Sequence, residues 1–222
     1  MGLVLAIDTS SGTSVAVLKD GIALAEIDVA DTRSHTESIG NAIQDALDQA
    51  GIAAKSIEAV AVGRGPAPFT GLRVGIAAAI MFAEGVGAQL FGIVSLDAIA
   101  RQELTANPLS NRNPAQSLLV SSDARRSEHY WALYSGLDRH GVPICSEGPA
   151  VNRPGDIEAA LAERGIVPAI TAVKISARAI GELFEAQAAA GVLSQDVTAL
   201  YLRNPDAVEP KNLRDFGKRV SG

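Results

Sequence analysis

Cysteine is nearly absent from this chain: Cys145 is the single one in 222 residues. An internal disulfide is thereby excluded, and the composition fits a reducing, cytoplasmic setting. Histidine is scarce too, at three. A helical metal face needs two imidazoles one turn apart. Here His35 is followed four positions on by Ile39, and His129 and His140 have no partner at ligand spacing. His35 therefore reads as a polar helix-start residue, and no metal is expected in this chain. No Gly-Lys-Ser or Gly-Lys-Thr occurs, which removes the phosphate-cradling P-loop. No Gly-x-Ser-x-Gly occurs either, and Cys145, two residues after Pro143, has no evident base, so a peptidase reading lacks its nucleophile. Positive charge is outnumbered, 19 Lys and Arg against 25 Asp and Glu, for a net charge of −6. Phosphate contacts need clustered Lys and Arg, so such a chain is a poor stand-alone nucleic-acid binder. Aromatics are only 4%. Tyr130, Trp131 and Tyr134 fall on one alternating stretch and read as core, not as a base-stacking platform.

Export and membrane signals are also wanting. Gly2 to Ile7 is apolar, but no basic residue precedes it and Asp8 interrupts it, so no export signal is expected. Val74 to Val94 is long enough to test as a membrane span. Glu84 in its middle, its glycines and Gln89 make it a buried helix followed by a strand instead.

What the chain does have is apolar residues, 47% of it, in patterned runs. Leu3–Ile7 reads as a central strand, and Thr13–Lys19 and Ile22–Val29 as a hairpin about the Asp20-Gly21 turn. Ser34 and Glu37 stand at capping-box spacing. Ile39, Ala42, Ile43, Ala46, Leu47 and Ala50 then repeat at helical spacing, and Gly51 ends the helix. Ala59–Val62 is a short buried strand. After it, Gly63 to Arg73 holds three glycines and two prolines in eleven residues, a rigid strand-to-helix turn in which Thr70 is expected to cap the helix that follows. That helix, Leu72–Val86, is apolar all round. Leu72, Ile76, Ala79, Ile80 and Ala83 form one stripe. Val74, Ala78, Met81, Phe82 and Gly85 form another on the far side. A helix of this kind needs cover on both flanks, and its own sheet can supply only one.

Gln89–Val94 then reads as a strand and Leu96–Leu104 as a helix. Residues 105–116, rich in Asn and Pro, read as a linker. Past it the pattern restarts: strand Leu118–Val120 with a polar turn Ser121-Ser122-Asp123, an alternating strand to Leu137, a further strand at Val142–Cys145, helix Asp156–Arg164, strand Ile170–Val173 and helix Ala177–Ala190. The tail from Pro205 is polar. The expectation is an α/β chain of two βββαβα subdomains, residues 1–104 and 105–222. Each has an Asp just after its first strand, the outline of the actin, Hsp70 and sugar-kinase (ribonuclease H-like) fold.

That fold grips nucleotides by two polar turns. The first, Asp8-Thr9-Ser10-Ser11, offers hydroxyls and backbone N–H groups to an oxyanion. The second, Asp123-Ala124-Arg125-Arg126, lacks glycine and would crowd a phosphate. A nucleotide-binding ATPase or kinase organised by Asp8 is thus one reading open from the residues alone.

A second reading comes from a resemblance. Ala6-Ile7-Asp8-Thr9-Ser10, then Gly65-Pro66-x-x-Phe69-Thr70-Gly71-Leu72-Arg73-Val74-Gly75, then Asp123-Ala124-Arg125-Arg126-x-Glu128-x-Tyr130, and Leu200-Tyr201-Leu202-Arg203 together resemble the TsaB (YeaZ) family. The likeness runs from about Leu3 to Arg203. Ala67-Pro68 stand where that family usually has Gly-Ser, which stiffens the loop. The resemblance implies a non-catalytic dimerisation subunit of bacterial tRNA threonylcarbamoyladenosine synthesis, paired with TsaD, the larger relative that carries the transfer chemistry and is expected to hold ATP or ADP and a metal. TsaE would be a further partner, and tRNA would be met through the complex. The pairing would use the helices His35–Ala50 and Leu72–Val86, with Ile39, Ile43, Leu47, Val74, Ala78, Met81 and Phe82 at the interface. Alone, the chain would hide the same stripe by forming a homodimer.

Overall fold

The computed structural model describes residues 2–29, 35–109, 117–166, 168–171 and 175–203, without the side chains of 35–37 and 169–171. Ser34 and the Glu37 side chain of the expected capping pair, the His35 side chain, residues 110–116 of the expected linker and the tail from Pro205 lie outside them.

The first half opens as expected, with β1 (Leu3–Asp8), β2 (Thr13–Lys19) and β3 (Ile22–Val29) in an antiparallel meander. Asp20 and Gly21 both take positive φ, 50° and 78°, as a tight hairpin turn of this hand requires. Then come α1 (His35–Ala50), β4 (Ala59–Gly63), α2 (Phe69–Val86), β5 (Gln89–Ile93) and α3 (Ser95–Ala106). β4 pairs parallel with β1, and β5 with β4, giving the order β3-β2-β1-β4-β5. The second half has β6 (Leu118–Asp123), β7 (His129–Leu137), β8 (Pro143–Asn152), α4 (Pro154–Glu163), β9 (Ala169–Thr171) and α5 (Ala177–Ala190), with sheet order β8-β7-β6-β9. The actin-like architecture is present, but the halves are unequal: the first is βββαβαβα and the second βββαβα.

Several boundaries differ from the sequence reading. α2 begins at Phe69, so Pro68 occupies the cap position and offers no side-chain cap. Thr70 therefore lies inside the first turn and does not cap it. Proline suits a helix start because it lacks only an N–H that the helix would leave unpaired. α3 continues to Ala106, two residues into the expected linker. β6 runs on through Ser121, Ser122 and Asp123, which pair with Trp131, Tyr130 and His129, so the turn is at 124–127. β8 extends from Pro143 to Asn152, well past Cys145.

Side-chain size separates the two faces of the first sheet. Leu5, Ile7, Val15, Val17, Val60 and Val62 point to α1 and α2. Ala6, Ala16 and Ala61 point the other way, with Val4 and Leu18. The small face lets a helix come close, and that helix is α5, supplied by the second half. A Cβ added at Gly181 would lie 2.4 Å from Leu18 Cδ1, and the Ala177 amide donates to Ser14 Oγ at 2.8 Å. α3, from the first half, packs in turn on β6, β7 and β8. One core therefore spans both halves, with Ile99, Ile180, Leu183, Phe184, Val120 and Tyr134 in it. A smaller cluster, Leu119, Trp131, Leu133, Ile157 and Leu161, closes the outer face of the second sheet under α4. The layers run α1/α2, first sheet, α3/α5, second sheet, α4.

Ile180, fully enclosed between the sheets, and Met81, 73% exposed on α2, should respond unequally to truncation. Ile180→Ala is expected to cost about 2–5 kcal/mol of unfolding free energy. Met81→Ala should change it by less than about 0.5 kcal/mol. Urea titration of both variants checks the contrast.

Candidate functional site

The carboxyl ends of β1, β4 and β5 converge, which is where open α/β sheets place their ligands. Asp8 ends β1, Gly63 ends β4 and Ser95 starts α3. A Cβ at Gly63 would sit 1.8 Å from Asp8 Oδ2, so glycine is required there. Nearly two helical turns into α2, a Cβ at Gly75 would sit 2.2 Å from Thr9 Oγ1. Both glycines exist to admit the Asp8-Thr9 turn.

That turn is closed on itself. Asp8 Oδ1 accepts the Ser10 amide at 2.7 Å. Oδ2 accepts the Ser95 hydroxyl at 2.7 Å and the Ser10 hydroxyl at 3.3 Å. The Thr9 hydroxyl donates to the Gly71 carbonyl at 2.8 Å, and Ser10 Oγ and Ser95 Oγ are 3.2 Å apart. Asp8 and Thr9 are 1% and 2% exposed. Burial pushes the Asp8 carboxyl up, against the hydrogen bonds from Ser10 and Ser95. The nucleotide-turn residues Asp8, Thr9 and Ser10 are thus brought together as expected, with Ser11 half-buried beside them. The Asp8 carboxylate, the Ser10 amide and the Thr9 and Ser10 hydroxyls are hydrogen-bonded within the fold. Ser95 was missed by sequence reasoning, since a lone serine after a strand carries no signal of its own.

The second turn is held by a different device. Arg125, Arg126 and Ser127 all take positive φ, 66°, 56° and 60°, with no glycine to ease them. Asp123 Oδ1 accepts the Arg125 amide at 2.7 Å, and the Ala124 amide donates to the Glu128 carbonyl at 2.9 Å. Arg203 forms an ion pair with Glu128 and donates to the Arg125 carbonyl at 3.3 Å. Among the described residues no three of His, Cys, Asp and Glu are grouped to hold a metal. Partial burial and the Asp97 charge raise the Cys145 thiol, the opposite of an activated nucleophile. Tyr130, Trp131 and Tyr134 lie in the core, as read from their alternation.

On the other side of the first sheet lies the helical face of α1 and α2. The seven expected interface residues divide. Ile39, Ile43 and Leu47 are 7%, 9% and 4% exposed and pack in the chain's own core, so they are corrected from interface to core. The helical stripe they form is the one that must cover the sheet. The outward face of α1 is polar instead: Asn41, Gln44, Asp45, Asp48 and Gln49. Val74, Ala78 and Phe82 are half-buried, and Met81 stands out. Ile80, read with the inner stripe, is 37% exposed and turns outward. α2 is also the one described helix long and apolar enough to cross a membrane. Leu72, Gly75, Ile76, Ala79 and Ala83 are nonetheless buried along it, as a helix seated on a sheet requires.

Between the sheets, Tyr134 donates to Asp97 Oδ1 at 2.6 Å. Burial pushes the Asp97 carboxyl up to about 6, while the Tyr134 hydrogen bond and the Arg64 charge pull it down. Because the folded value exceeds the ordinary 3.8, the native chain holds this proton longer than the unfolded one. The group's contribution to stability then falls as pH rises from about 4 to about 6 and is level above, by at most about 3 kcal/mol. Asp97→Asn should remove that fall. Urea unfolding of both proteins at pH 4.5 and pH 7 should show the wild type losing stability relative to the variant at the higher pH.

A family model described as TsaD, tRNA N6-adenosine threonylcarbamoyltransferase, matches residues 25–147, more than half of the chain. An uncharacterised protein of Mycobacterium leprae is 40% identical over 163 residues, 71% of this chain and 41% of that protein. The tRNA threonylcarbamoyladenosine biosynthesis protein TsaB of Escherichia coli is 36% identical over 152 residues, 68% of this chain and 62% of its own length. The matches to these two curated relatives thus span less than two thirds of either. The solved structure of YeaZ from Pseudomonas aeruginosa superposes with a TM-score of 0.71 at 26% identity, covering 91% of this chain and all of that one. With the Asp8 turn, the Phe69–Arg73 helix start and the Asp123–Glu128 turn in their places, these likenesses lead to one conclusion: the chain belongs to the TsaB (YeaZ) family.

Proposed function

We propose that this chain is a non-catalytic, cytoplasmic partner subunit that binds and activates TsaD in tRNA threonylcarbamoyladenosine modification. The observation that carries the reading is the outer face of α2. Met81 is 73% exposed and Ile80 37%, at the middle of a helix whose outward surface also offers Val74, Ala77, Ala78 and Phe82. An apolar strip on a helix already seated on its sheet suits a second helix laid against it, and the small Ala77, Ala78 and Gly85 permit close approach. The naming of the Escherichia coli relative as a tRNA threonylcarbamoyladenosine biosynthesis protein supports the pathway. The family model named for the transferase supports kinship with the partner.

In this reading the chemistry, with its ATP or ADP and its metal, belongs to TsaD. The inward use of the Asp8, Thr9 and Ser10 groups supports that division of labour. TsaE joins the same assembly, and tRNA is met through it. In the absence of TsaD, two copies of this chain bury the same strip against each other.

A charge at the centre of the strip tests the reading. Met81→Arg should weaken the complex with TsaD at least about 100-fold, equivalent to about 2.7 kcal/mol, since the guanidinium would be buried against apolar surface. Calorimetric titration measures it, and the thermal midpoint of the isolated variant should stay within a few degrees of wild type. Unchanged affinity, or no complex with the wild-type chain, would sink the reading.

A further inference from the structure

The segment 192–203, after Gly191 caps α5, forms no helix or strand, yet it is anchored along its whole length. The Gly92 amide of β5 donates to the Ser194 carbonyl at 2.9 Å. A Cβ on Gly92 would lie 2.1 Å from the Asp196 carbonyl oxygen, so the segment crosses β5 where only glycine lets it. Arg64, just past β4, pairs with the Asp196 carboxylate and donates to its carbonyl at 3.2 Å. The Leu200 amide returns a hydrogen bond to the Arg64 carbonyl at 2.8 Å.

Its last three residues then reach two distant elements. The Tyr201 ring stacks on Phe69, the first residue of α2, with centroids 4.5 Å apart and planes at 25°. Arg73 donates from Nε to Tyr201 Oη at 2.7 Å and lies 5.3 and 5.4 Å from the two ring centroids. Two residues on, about 7 Å along extended chain, Arg203 holds the Glu128 carboxylate and the Arg125 carbonyl. Three successive left-handed residues without glycine, 125–127, cost on the order of 1 kcal/mol each and persist only where surroundings over-determine them. Arg203 is one of those determinants, and it is delivered by the same strand of chain that clasps α2.

We propose that residues 192–203 act as a strut coupling the start of α2 to the 124–128 turn, with Tyr201 and Arg203 as positioning residues for the α2 face. For its effect on partner binding the proposal rests on the TsaD reading. The coupling itself does not. Seating a partner on α2 loads the Phe69–Arg73 turn, and Tyr201 passes the load through Arg203 to Glu128. By reciprocity, loosening the 124–128 turn loosens the start of α2. Tyr201 touches the beginning of α2 and Arg203 the second half; Tyr201 also lines a groove with Ile80, whereas Met81 is not part of it.

Amide hydrogen exchange on the full chain tests the coupling. Tyr201→Ala should speed exchange at the far-end amides of Ala124 and Glu128 by about ten-fold or more. Glu128→Gln should do the same at the Leu200 amide. The β1 amides should hold their wild-type rates in both, which separates the effect from global unfolding. Tyr201→Phe, which keeps the stack and loses the hydroxyl, should give a smaller change. For positioning, Arg203→Ala should weaken TsaD binding about five- to ten-fold and Arg203→Lys should recover part of it. Faster exchange confined to the mutated end overturns the coupling. Coupled exchange with unchanged affinity in Arg203→Ala overturns the positioning role. A wild-type chain that does not bind TsaD overturns the partner reading, while the exchange rates still decide the strut.

Discussion

β1 has to be covered on both faces: Val4 to Ile7 are at most 1% exposed. That one requirement organises the chain. The small-residue face, with Ala6, Ala16 and Ala61, is too shallow for bulky side chains but admits α5 at close range. α5 comes from the second half, and α3 returns the exchange by packing on the second sheet. The halves therefore share a core and are not two bodies on a linker. The large-residue face takes α1 and α2. Once α1 has spent its apolar stripe there, only polar residues remain outside it. α2 differs because it has apolar residues left over after its inner stripe is used, and Met81 and Ile80 are the remainder.

The same packing explains why the polar groups of the Asp8 turn bond to one another. An unsatisfied carboxylate at Asp8 would be expensive in so enclosed a place. Ser10 and Ser95 satisfy it, and Thr9 turns its hydroxyl to the Gly71 carbonyl of α2. The turn is an internal brace between β1, α2 and α3. The exposed capital of the molecule lies on α2 and along the 192–203 segment instead.

Much of this was legible in residue patterns. The meander, the helix at His35–Ala50 and the buried aromatics at 130–134 follow from periodicity and turn chemistry. The apolar excess of α2 is visible because no single stripe accounts for all its large side chains. Three things were not legible. Family likeness points Ile39, Ile43 and Leu47 outward, although their helical spacing points to the sheet, where they are buried. Ile80 sits at the border of two stripes, and only the helix rotation on the sheet decides its side. Ser95 and the course of 192–203 have no period at all. The Leu200–Arg203 motif is visible as a string, but its contacts with Phe69, Arg73 and Glu128 span 132, 128 and 75 positions of chain, which local reasoning does not reach.

The central claim is that the outer face of α2 is where a partner sits. The chain has two methionines, Met1 and Met81, so a methyl spectrum of the labelled protein reports the middle of that face almost alone. With a soluble paramagnetic agent, the Met81 methyl should relax fast in the free chain and be protected when TsaD is added to saturation. A Met81 methyl that stays as accessible in the complex as in the free chain would contradict the account.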